Sequence, residues 1–221
     1  MISEDARMES KDATEPVGRS LIRTVAEMPD VQDTVSDYAE ISVDAFVDSG
    51  VLDKIPIIGT MRALARGVAG FREARLLQKL TVMLFALGNV SAAESADWSK
   101  KLREDEHVEE FGERVIGIVE RVESAMKARL VGLMFRAYLD GRCDRNTFLR
   151  SIEMIDRALT EDLAYLVEHW ADGATGPACD RLVSVGLLAD RSISIVTEGS
   201  QPPAPSSEGD LIRSAVNSPA S

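Results

Sequence analysis

Residues 51–90, VLDKIPIIGT MRALARGVAG FREARLLQKL TVMLFALGNV, are the longest apolar stretch of the chain and also its one clearly basic region. Lys54, Arg62, Arg66, Arg72, Arg75 and Lys79 stand against Asp53 and Glu73, a local net of +4 in a chain whose net charge is −12. Pro56 disfavours helix at Ile55, so helix is predicted to begin near Thr60, with Thr60 as its N-cap. At about 100° per residue, Met61, Leu64, Val68 and Phe71 share one face. Leu76, Leu77, Leu80, Met83, Leu84 and Leu87 share another, rotated by roughly a quarter turn or more. Gly67 and Gly70 lie where the faces change, so the spacing predicts two helical pieces with a break near residues 67–71. From Leu80 to Leu87 the run LTVMLFAL is apolar nearly all round, the pattern of a helix covered on every side. It is too short for a membrane span, which needs about twenty apolar residues, because Arg72, Glu73, Arg75, Gln78 and Lys79 interrupt it.

The first reading of this stretch is a buried central helix with a snorkelling basic flank. The alternative makes it an interfacial segment. Ile55, Ile57, Ile58, Leu64 and Phe71 would then enter lipid, and Lys54, Arg62, Arg66, Arg72, Arg75 and Lys79 would meet anionic head groups or another anion. Just before it, Asp30, Asp33, Asp37, Glu40, Asp44 and Asp48 recur at steps of three and four, one acidic stripe on a predicted amphipathic helix. Such a stripe is most simply a solvated face. It is also a candidate partner face, or a cover for the basic segment.

A chain of 221 residues can bury about 70% of its unfolded surface, so a core needs no staples. Aromatic residues at 5% argue against sheet-rich and base-stacking designs. A net charge of −12 disfavours nucleic-acid binding, since phosphate repulsion must be overcome locally. Cys143 and Cys179 are far apart without metal-ligand spacing and read as reduced thiols. The N-terminal MISEDARMESKDATEP has no apolar h-region, so a cytoplasmic location is expected, with peripheral membrane association as the alternative.

Residues 91–106 read as a polar connector with helical tendency. Over 107–139 apolar residues step by threes and fours, predicting one long helix or two divided near residues 122–125. Asp144 is placed to N-cap the helix NTFLRSIEMIDRAL, and Thr160 to cap the helix EDLAYLVEHWA, with Glu161 and Asp162 in its first turn. Helices are then expected over 161–171 and 178–188, a strand over 192–197 and a helix over 209–216.

The stretches IPIIGT at 55–60, LMFRAYLDGRCDRNTFLRSIEMIDRAL at 133–159 and DRLVSVGLL at 180–188 resemble a group of uncharacterised bacterial all-helical proteins. That resemblance implies a helical fold and no activity. The C-terminal element order, with Val185, Gly186, Leu187 and Leu188 closing a helix, resembles the end of a winged-helix domain. A DNA-reading domain of that kind is basic there. Residues 160–221 instead set Arg181, Arg191 and Arg213 against nine carboxylates, a net of −6, which points to docking on protein.

No phosphate-binding loop, nucleophile elbow or metalloprotease motif occurs. Asp140, Asp144 and Glu153 do not complete a calcium loop. His107 and His169 have no sequence partner for catalysis, and the carboxylates Asp97, Glu104, Asp105 and Glu106 lack an indicated pocket. Trp98 and Trp170 suit a core or an interface. No catalytic residue, metal ligand or cofactor is assigned.

The expected fold is mainly α: an antiparallel multi-helix bundle with a small winged-helix-like C-terminal appendage containing a short strand or hairpin. Its predicted divisions are a disordered segment over 1–18, the bundle over 19–159, the appendage over 160–216 and a disordered tail over 217–221. The expected function is a non-enzymatic protein-interaction or regulatory role of bacterial or phage type. The alternatives are a membrane-surface protein using residues 51–79, pore-forming or toxin-like, and an enzyme with an unrecognised site.

Overall fold

The computed structural model describes residues 15–28, 55–65, 71–169, 175–189 and 203–217, with the backbone alone at 62–65, 71–73 and 169. The chain is mainly helical, with a small two-stranded antiparallel sheet near its C-terminus. It divides into two compact units, Met1–Val82 with Gly88–Glu120, and Met83–Leu87 with Arg121–Ser221.

In the first unit, α1 (Val17–Ala26) packs against α2 (Pro56–Ala65). Leu21, Val25, Ile55, Ile57 and Ile58 form a shared core there. Helix begins at Pro56, not near Thr60. A proline at the first helical position gives up an N–H that would have no partner in the helix anyway, and its φ is already helical. The cap comes from the neighbouring helix. Thr24 Oγ1 accepts from the Ile57 N–H at 2.9 Å and donates to the Ser20 carbonyl at 2.9 Å. Thr60 lies inside the helix, buried, with its hydroxyl 2.8 Å from that of Ser20. Residues 17 and 18, expected to be disordered, begin α1.

The break expected near residues 67–71 falls largely on residues 66–70, which lie outside the described ones, between α2 and α3 (Phe71–Phe85). Residues 91–106 are mostly the helix α4 (Ala92–Arg103). Its start is a capping box: Ser91 Oγ accepts from the Glu94 N–H at 3.2 Å, and Glu94 Oε2 accepts from the Ser91 N–H at 2.9 Å. Trp98 and Leu102 point inward, and Ser95 Oγ donates to the Ala26 carbonyl at 2.5 Å, closing the last turn of α1. Helix α5 (Val108–Arg121) buries Phe111, Val115, Ile118 and Val119 and meets α1 at a pair of glycines. A Cβ on Gly18 would lie 2.1 Å from the Glu109 carbonyl oxygen, and one on Gly112 would lie 2.4 Å from that of Gly18.

The second unit centres on α6 (Ala125–Leu139) and α7 (Arg145–Arg157), joined by the short turn over 140–144. The division predicted near 122–125 is the gap between α5 and α6. Ser124 caps α6 by accepting from the Lys127 N–H at 3.3 Å, and Asp144 caps α7 by accepting from the Thr147 N–H at 2.7 Å. Phe148 of α7 stacks on Phe135 at 5.6 Å and on Tyr138 at 5.5 Å. Met83, Leu84 and Leu87 from the end of the apolar run are buried in this unit. The run is not covered on every side, because Phe85 is 40% exposed. Helical geometry turns one residue of any such turn outward.

Thr160 is the first residue of α8 (Thr160–Ala164), not its cap; Leu159 holds the cap position without a side-chain bond. The helix expected over 161–171 is α-helical only to Ala164 and continues as a π-helical turn, Tyr165–His169. The helix expected over 178–188 is α9 (Pro177–Ser184). It stops early because Gly186 takes φ 86, which reverses the chain and frees Leu188 for a strand. Strand β1 (Leu188–Ala189) pairs antiparallel with β2 (Ala204–Pro205). The strand expected over 192–197 lies outside the described residues. Helix α10 (Ser207–Asn217) then packs on α6, α7 and the π turn. The described residues from Thr160 onward belong to the second unit.

Candidate functional site

Polar side chains in this protein are used repeatedly at helix ends, and one such group presents an apolar residue. At the end of α7, the Lys127 side chain is 1% exposed, yet its ammonium donates to the Asp156 carbonyl at 3.0 Å and meets Glu123 Oε1 at 3.0 Å. A cation at the C-terminal pole of a helix satisfies a carbonyl with no intrahelical partner and suits the dipole there. The Asp156 carboxylate accepts from Arg121 Nε at 3.0 Å. Across the corner, the Thr160 hydroxyl donates to Glu123 Oε1 at 3.0 Å and lies 3.3 Å from Ser124 Oγ. The hydrogen bond from Lys127, and next that from Thr160, hold the Glu123 carboxyl below its ordinary range.

Between these anchors the chain is extended: Ala158 has φ −70 and ψ 151, and Leu159 has φ −70 and ψ 145. Ala158 is 3% exposed and Leu163 fully buried, while Leu159 stands out at 48%. Phe85 and Leu159 are the large apolar side chains left exposed among the described residues. Arg157 and Glu161, both exposed, flank Leu159 two residues away on either side. The arrangement is a rigid apolar tip with a charged rim.

A second polar group lies on α8 and α9. The buried Asp162 carboxylate accepts from Arg181 Nε at 2.7 Å and from its terminal nitrogen at 2.6 Å, which raises the guanidinium pKa. Tyr165 beside it is pushed up, first by burial and then by Cys179. Cys179 is buried and Cys143 half-buried, both as free thiols. This bidentate pair ties α9 to α8.

The residues singled out in the sequence are placed differently. Lys54 and Arg66 lie outside the described residues, and Arg62 and Arg72 sit in helices without described side chains. Arg75 is exposed, and Lys79 donates to the Glu120 carbonyl at 2.5 Å, closing the end of α5. The acidic six, Asp30, Asp33, Asp37, Glu40, Asp44 and Asp48, all lie outside the described residues, as does Trp170. Ile55, Ile57 and Ile58, which the membrane alternative assigns to lipid, are packed in the core of the first unit. Trp98 is likewise core, and His107 is exposed with Nδ1 3.9 Å from Glu110.

Among the described residues no helix is long and apolar enough to cross a membrane, and none of their side chains group as metal ligands. The chain matches no family model, no curated protein and no solved structure.

The corner was not found by sequence reasoning. Its one available signal was the pair Glu123 and Lys127 at i, i+4, which on most helices is a solvated pair. That Lys127 is buried depends on α7 ending against it.

Proposed function

We propose that this protein is a non-enzymatic helical protein that works by binding another protein, with the α7–α8 corner as its contact. The observation that carries this is Leu159, exposed on a backbone pinned from both sides. An apolar anchor held rigid gives up little conformational entropy on binding, and arginine and other charges at its rim set orientation. The acidic stripe over 30–48 remains a candidate second face of the same kind.

The test places a photo-reactive amino acid at position 159, with exposed Asn146 on α7 as the control position, in cells producing the full chain. A discrete adduct from position 159 that Asn146 does not give is expected, and it weakens when Arg157 is reversed to Glu. Equal or no cross-linking from the two positions removes the reading.

A further inference from the structure

The charges about Leu159 have a symmetry of their own. Arg157 ends α7 and Glu161 opens α8, each two residues from Leu159 and each exposed. Each sign suits its own helix pole, cation at a C-terminus and anion at an N-terminus. A chain with +, apolar and − at even spacing is also complementary to its own reverse. A two-fold axis through Leu159 sets Leu159 against Leu159 of the second copy and Arg157 against its Glu161, twice over.

Resting on the interaction reading above, we propose that the partner at the α7–α8 corner is a second copy of this chain, bound through an isologous two-fold contact centred on Leu159. An isologous interface requires one patch to complement itself, and this patch does so by charge and by its apolar centre. The tip is also held in shape before binding, since Lys127, Glu123, Thr160 and Asp156 fix the backbone on both sides of it.

Sedimentation equilibrium of the full chain, up to about 0.1 mM, tests this directly. Twice the chain mass at high concentration is expected, falling to the monomer mass on dilution. Leu159→Asp gives a monomer with unchanged helical circular dichroism. Arg157→Glu and Glu161→Arg each weaken the dimer about tenfold, and the double exchange Arg157→Glu with Glu161→Arg restores it to within about threefold. The double exchange carries the discrimination, because a residue needed only for folding is not rescued by reversing a second one. A monomer at every concentration overturns the proposal. So does a dimer that tolerates Leu159→Asp, or one that the double exchange fails to restore. If the chain is monomeric while position 159 cross-links to a different protein, the copy is wrong and the interaction reading stands.

Discussion

Lys127 shows how much one side chain does when it closes a helix. Its ammonium is out of water, and its partners are a carbonyl and a carboxylate. Truncation in Lys127→Ala strips the Asp156 carbonyl of its donor and opens a hole, with an expected cost of about 3 kcal/mol in urea unfolding. Lys127→Met keeps the volume and removes the charge, and is expected to cost clearly less, about 1–2 kcal/mol. Equal losses would mean that the lost ammonium bonds alone matter and the hole adds nothing. Glu123 is the pH-dependent member. Its folded pKa is depressed, so its contribution is complete above the usual glutamate range near 4.5 and is lost as pH falls through the folded value. Its side chain is 60% exposed, so solvent screening keeps the contribution to a few tenths of a kcal/mol. Glu123→Gln is expected to flatten the acid limb of stability slightly while leaving stability at neutral pH nearly unchanged, read by thermal melts at pH 3–7.

At the scale of elements, helix ends are closed by neighbours as well as by local caps. Thr24 serves the start of α2, and Ser95 the end of α1. Thr24→Val is therefore expected to destabilise by about 1–2 kcal/mol, since it leaves the buried Ile57 N–H without a partner. A cost within error would mean that the backbone finds another acceptor. The crossing of α1 and α5 makes a sharper demand. Gly112→Ala places a methyl group 2.4 Å from a backbone oxygen, so the two helices must part. The expected loss is about 1–3 kcal/mol, visible as a lowered melting temperature. One local cap was read from the sequence, Asp144, which sits where the apolar period restarts, while the caps Ser124 and Ser91 were not. Thr60 and Thr160 were misread for one reason. A threonine before an apolar run has the chemistry of a cap, but Pro56 and Leu159 started their helices earlier, and the hydroxyls went elsewhere, that of Thr60 to Ser20 of α1 and that of Thr160 to Glu123 between α5 and α6.

At the scale of the whole chain, the predicted dimer is the property that a single solution measurement decides, and its mass should follow Leu159. The helical class was determined by the sequence alone, because apolar residues at steps of three and four have few other ways to leave water. The division between α5 and α6 and the cap at Asp144 follow from the same local physics. A short strand was expected near the C-terminus, but over 192–197; the described sheet pairs Leu188, inside the helix expected over 178–188, with Pro205, because Gly186 turns the chain first. Only the tertiary structure decided which polar residues are buried. Lys127, Arg136, Asp162 and Glu208 read as surface charges, and each is buried because a particular helix end or opposite charge meets it there. Tertiary structure likewise gave the end of the apolar run to the second unit and left Leu159 outside. A residue's periodicity reports which face of its own helix it occupies, while its burial depends on what arrives opposite that face from elsewhere in the chain.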